Sequence, residues 1–136
     1  MEITLPGITE QQRLIYEQST KVAINTLEEN LNAQVLPGQT EIDESDYLVF
    51  HLLRKSEGWE APHPDIVGAY FRHFQSHFPE YDTDKKLAAL LEISSDRRIR
   101  DFKQGVRKVP YDIWRKFLII TGRAPQDVLS VKAFMG

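Results

Sequence analysis

The chain has 136 residues, 41% of them hydrophobic and 27% charged, enough for one domain with its own core and an appended helical segment. It has no cysteine, which excludes disulfides, thiolate catalysis and cysteine zinc sites. No apolar run approaches membrane-spanning length, and Met1 to Gly7 lacks the basic start and apolar stretch of a signal peptide, so a cytoplasmic protein is expected. The net charge of −3 conceals an asymmetry: residues 1–81 carry 5 Lys/Arg against 13 Asp/Glu, whereas residues 82–136 carry 12 against 7. A nucleic-acid surface needs a local positive field rather than a positive total.

Met1 to Gly7 reads as an extended lead-in stopped by Pro6-Gly7. Thr9, with Gln12 three residues on, resembles a capping box. Leu14, Ile15, Val22, Ala23, Ile24, Leu27 and Leu31 then recur at spacings of three, four and seven, predicting an amphipathic helix from Glu10 to about Asn32. It would pack on its own domain, with dimerisation as the alternative. Leu36-Pro37-Gly38-Gln39-Thr40 breaks it. The acidic run Glu41, Asp43, Glu44 and Asp46 reads as a solvated helix start, the alternatives being a linker or an interaction patch. A second helix, capped by Ser45, is expected from Asp46 to Glu57, with Tyr47, Leu48, Phe50, Leu52 and Leu53 as its apolar residues.

Beyond Pro62 and Pro64, Ile66, Val67, Tyr70, Phe71, Phe74 and Phe78 define an aromatic-rich core helix over Asp65 to Phe78. His73 and His77 share a side of it, with His63 near in sequence. That spacing suits a metal, but no HExxH pattern is present, and surface or packed histidines are the expectation; no metal and no cofactor is assigned. Asp82 or Thr83 can cap a short helix carrying Leu87, Ala88, Leu90 and Leu91. Ser94-Ser95 marks a turn, and a basic helix ends at Gly105. Pro110 opens the next helix, which runs to about Thr121 with Ile113, Trp114, Phe117, Leu118 and Ile120. Pro125 starts a last short helix with Val128, Leu129, Val131, Phe134 and Met135, which would finish the core or face a partner.

The chemistry concentrates in the basic helix. Ile99 and Phe102 are three apart and must face the core, so at about 100° per residue the opposite side carries Arg97, Arg100, Asp101 and Gln104. Arginine suits guanine edges and glutamine adenine edges in the major groove. Asp101 would orient an arginine or accept from cytosine. Arg98 sits nearer the buried edge and, like Lys103, Arg107 and Lys108, is placed for phosphates. Ser95 and Asp96 lie at the helix start, whose amides are a natural phosphate seat.

The order Leu87-Ala88-Ala89-Leu90-Leu91, Ile93-Ser94-Ser95, Ile99, Phe102, Gly105, Arg107-Lys108 and Pro110 resembles the Cro/repressor-type helix-turn-helix family of bacteria and phages, the xenobiotic-response-element type, over residues 66–136. Glu92 stands where that family usually has the turn glycine, and the span from Ile93 to Ile99 is one residue longer than usual. The resemblance implies an all-α, five-helix repressor-like domain over residues 61–136 with its recognition helix at about 95–104. Residues 1–60 would precede it as an acidic segment of two helices. It also implies sequence-specific binding of double-stranded DNA through the major groove by a transcriptional regulator, and a homodimer. An accessory or interaction protein is the alternative: an antitoxin, an anti-repressor or a conjugation factor whose residues 1–60 hold a protein partner. With no glycine-rich phosphate loop, nucleophile elbow or spaced carboxylate pair, an enzyme is not expected, and no membrane partner is.

Overall fold

A computed structural model describes residues 7–136, so the expected extended lead-in lies, but for Gly7, outside the described residues. Among these the chain is all-helical, with five α-helices and no strand: α1 (Ile8–Asn30), α2 (Pro64–His77), α3 (Asp84–Leu90), α4 (Asp96–Gln104) and α5 (Tyr111–Ile120). The chain divides into two compact units. One runs from Gly38 to Val128; the other joins residues 7–37 to Leu129–Gly136. The sequence suggested a division at 60/61, but residues 38–60 belong with the larger unit because their side chains tie into α2 and α5.

The smaller unit consists of α1 and the C-terminal tail. Gly7, not Thr9, is the N-cap of α1, and no side chain caps the helix. The expected amphipathic stripe is diffuse: Ile8, Leu14, Ile15, Val22 and Ile24 are all exposed, and no residue of α1 is buried. Tyr16 meets Phe134 edge to face at 4.9 Å, and the Arg13 guanidinium lies 4.2 Å from the same ring. The helix expected after Pro125 does not form; residues 125–136 are irregular. A helix of that length gains too few hydrogen bonds to offset its nucleation without burial, and Val128, Leu129 and Met135 are exposed.

The larger unit is built on α2 and α5. Pro64 occupies the first turn of α2, where its missing N–H costs nothing, and His63 Nδ1 accepts the Asp65 N–H at 3.0 Å. Ile66, Val67, Tyr70, Phe71 and Phe74 are buried against Trp114, Phe117 and Leu118 of α5, with Leu87, Ile99 and Phe102 closing the core. Trp114 stacks on Tyr70 with centroids 5.7 Å apart and on Phe117 at 5.6 Å.

Residues 46–57 are not the expected α-helix. They form short 3-10 turns at Glu44–Asp46, Phe50–Leu52 and Lys55–Glu57. Tyr47, Leu48, Phe50, Leu52 and Leu53 fall all round a helical wheel and leave no polar face, so a regular helix has no stable orientation on the core. Side chains close the turns instead. Asp43, rather than Ser45, caps the first, and Glu57 accepts the Arg54 N–H. The acidic run is likewise not a solvated helix start. Glu41 forms a two-point ion pair with Arg72 of α2, and Glu44 accepts from Gln39 and from the Tyr70 hydroxyl. Burial raises the Glu44 pKa, but the Tyr70 and Gln39 hydrogen bonds outweigh it and hold the carboxyl below its usual range. Burial, then the Glu44 contact, pushes the Tyr70 hydroxyl upward. At the centre of this arrangement His51 is 2% exposed and accepts the Trp114 indole N–H at Nδ1, at 3.1 Å. Its backbone carbonyl accepts the Trp59 indole N–H.

Candidate nucleic-acid interface

The basic helix α4 is positioned by a short α3 and a tight turn. The Thr83 hydroxyl caps α3 by accepting the Lys86 N–H at 3.2 Å. At the other end the Ile93 N–H reaches back to the Ala88 carbonyl at 2.8 Å and the Glu92 N–H to that of Ala89 at 3.2 Å. This is a Schellman closure, which requires a left-handed residue after the helix. Glu92 fills that position with φ 58°, the one non-glycine at positive φ among the described residues. The same closure after α5 uses Gly122, whereas after α4 left-handed Gly105 lets the N–H groups of Gly105, Val106 and Arg107 turn back to the Asp101 carbonyl. Buried Ile93 then anchors the chain before Ser95, the N-cap residue of α4, whose hydroxyl makes no capping bond.

Within α4, Ile99 and Phe102 are buried as their spacing predicts, and Arg97, Arg100 and Gln104 are exposed. The other residues of the basic stretch are more constrained than the helical wheel implies. Arg100 pairs with Asp96 at 2.9 Å one turn earlier, and the hydrogen bond from Arg100 lowers the Asp96 pKa. Asp101 is not free to face a ligand: its side chain is largely buried and lies 3.5 Å from Arg107 Nε. Lys103 donates to both oxygens of Asp84 on α3, at 2.9 and 3.0 Å, in a pair shielded from solvent on both sides. The Arg98 guanidinium lies 5.6 Å from the Phe102 ring, and its Nε is buried without a hydrogen-bond partner among the described residues. Lys108 is exposed and outside any ion pair among the described residues, as is Arg97.

Of six cations between Arg97 and Lys108, then, Arg100, Lys103 and Arg107 are held by Asp96, Asp84 and Asp101, and Arg97, Arg98 and Lys108 are not. The sequence reading missed Asp84, whose distance of 19 residues from Lys103 hides the pair. It also missed Lys85, exposed on α3 without an ion-pair partner among the described residues, although the adjacent Lys85-Lys86 was legible as a charge run. The closing wall behind α4 is Gly105 against Pro64: a Cβ at Gly105 would sit 2.8 Å from the Pro64 ring.

The histidines do not converge. His63 caps α2 and lies against Tyr47, whereas the His73 and His77 rings meet edge to face at 4.7 Å. Among the described residues no three His, Asp or Glu gather as metal ligands, and no helix is long and apolar enough to cross a membrane. No family model, no curated protein and no solved structure matches the chain.

Proposed function

We propose that the chain is a sequence-specific binder of double-stranded DNA, a transcriptional regulator of bacterial, phage or mobile-element type, with α3 and α4 as a repressor-like helix-turn-helix. The observation that carries this reading is the division of α4. Two residues, Ile99 and Phe102, hold it to the core, while Arg97, Arg100 and Gln104 project from the opposite side beside exposed Lys108. Those are the side-chain types that read purine edges and grip phosphates. Arg98 adds a guanidinium with an unmet donor. In a homodimer the two α4 helices would enter major grooves about one helical turn apart on a near-palindromic site.

Selection of binding sites from a random DNA pool, followed by anisotropy titrations of the selected site, tests the proposal. Arg97→Ala should cost roughly 1–3 kcal/mol at that site and relax its base preference. Lys108→Ala should weaken selected and random DNA alike and reduce the salt slope by about 1. No preference over random DNA at moderate salt overturns the reading.

The self-neutralisation of Arg100, Lys103 and Arg107 favours a second reading, an accessory or interaction protein in which α4 is scaffold. Such a protein would bind DNA neither selectively nor with any salt dependence traceable to Lys108.

A further inference from the structure

On the larger unit, apart from α4, Asp46, Tyr47, Phe50, His51, Glu60 and His63 line a hollow of about 310 Å³. Its walls are aromatic and held in place: the Tyr47 hydroxyl donates to Asp65 at 2.7 Å, and the His63 ring lies 5.0 Å from that of Tyr47. Its rim is apolar, with Leu48 70% and Phe50 42% exposed. Two carboxylates stand beside it, Asp46 and Glu60, and neither has an ion-pair partner among the described residues. They are not balanced locally. Residues 41–65 hold seven acidic side chains and only Arg54 and Lys55, and Arg54 is taken by Asp127. The third feature is His51. Its Nδ1 accepts from Trp114, so the imidazole proton sits on Nε2, which makes no hydrogen bond among the described residues; the residue is 2% exposed and lines the hollow.

We infer that this hollow docks a basic peptide segment of a partner protein, with a lysine or arginine beside an aliphatic or aromatic residue. The cation meets Asp46 and Glu60, the apolar neighbour covers Leu48 and Phe50, and a backbone carbonyl accepts the His51 Nε2–H. A free polyamine satisfies the first requirement and neither of the others. An acidic or phosphorylated segment is repelled by the same carboxylates. The inference does not rest on α4, and it gives residues 41–65 a binding role independent of DNA.

The test is a titration of the ¹⁵N-labelled full chain, followed by amide and indole NMR shifts, with the peptide Ac-Gly-Leu-Lys-Phe-Gly-NH2. The glutamate version of the peptide and spermine alone serve as separate probes. Saturable shifts confined to residues 46–51 and 59–63 are expected with the lysine peptide. The Asp46→Asn/Glu60→Gln double variant should bind it about fivefold more weakly. Both substitutions are at exposed positions, and an unmoved Trp114 indole signal checks that the fold is kept. Equal shifts with the glutamate peptide, equal affinity for spermine alone, an unaffected double variant, or no shift at millimolar peptide would each overturn the inference. DNA binding by the double variant, measured alongside, separates this outcome from failure of the DNA reading.

Discussion

Acidification should destabilise the larger unit through His51. Burial pushes the His51 pKa from 6.5 down to about 4, with Arg123 adding to the shift and the Glu44 carboxylate opposing it. Protonation would also place a donor where Nδ1 must accept from Trp114. The unfolded chain takes up this proton near pH 6.5 and the folded chain only near pH 4, so between those values the unfolded state binds more protons. The contribution is therefore complete above about pH 6.5 and drains as the pH falls toward 4. At about 1.4 kcal/mol per pH unit the whole gap corresponds to about 3 kcal/mol, and the part lost between pH 7 and pH 4.5 to about 2 kcal/mol. Urea unfolding followed by tryptophan fluorescence measures it. The comparison is His51→Asn, whose side-chain oxygen can take the indole N–H and which does not titrate. Glu41 and Asp96 have lowered pKa values from partners other than His51 and cancel in the difference, whereas Glu44 is itself lowered in part by His51 and belongs to the His51 response. Parallel loss of stability in wild type and variant from pH 7 to 4.5 would refute the reasoning.

Three further outcomes follow from the elements around α4. Glu92→Gly removes a left-handed glutamate at the price of a weak, exposed contact to Lys116, and should stabilise by about 1 kcal/mol, raising the melting temperature by roughly 4–8 °C; an unchanged or lower melting temperature contradicts the assignment of strain there. Gly105→Ala meets both a φ of 78° and the Pro64 ring, and should destabilise by roughly 1–3 kcal/mol in urea titrations; a neutral result means that the end of α4 has room to shift. Lys103→Met leaves Asp84 without its cation, with only the Gln75 amide still donating to it, and should cost about 1–3 kcal/mol of stability while leaving the DNA salt slope unchanged; a smaller slope with intact stability would place Lys103 on phosphate instead.

How far the sequence carries depends on whether the deciding contact is local. The helices α2 to α5 were legible to within a few residues because Pro64, Thr83, Gly105 and Gly122 mark their ends and apolar spacing marks their faces; α1 was legible in extent but not in face, since none of its residues is buried. Ile99 and Phe102 were legible as the buried pair of α4 for the same reason. The stretch from Gln39 to Glu57 was not, because its order comes from contacts 26 to 63 residues away, from Glu44 to Tyr70 and from His51 to Trp114. Its apolar residues suggest a helix to any local reading, and only the burial of His51 shows why turns prevail. The candidate interface was legible in its outline and not in its wiring. Arg97, Arg100 and Gln104 project as expected, but the capture of Lys103 by Asp84 and the enclosure of Asp101 depend on the angle at which α3 meets α4, which the turn sets and periodicity does not encode.

That wiring bears directly on the proposed chemistry. A nine-residue helix with two buried residues is a poor independent helix, and α4 relies on its neighbours for position. The Asp84–Lys103 pair fixes it to α3, the closure at Glu92 sets its entry, and Gly105 against Pro64 sets its exit. Each contact removes freedom that a recognition element would otherwise lose on binding, so three cations are used to order the helix and fewer are left to meet phosphate. For a DNA reader this exchanges electrostatic strength for orientation: the non-selective part of the affinity, which grows with the number of phosphates neutralised, is reduced, while the base-reading side chains are held in register. Arg98 fits the same logic from the other side. A buried Nε without an acceptor costs roughly 1–3 kcal/mol in the free protein, and an approaching anion that draws the guanidinium outward offsets that cost only in the complex. On the DNA reading, the new anion contact would relieve the cost at Arg98 and the order imposed around Lys103 would lower the entropy lost on binding, so both would favour the bound state.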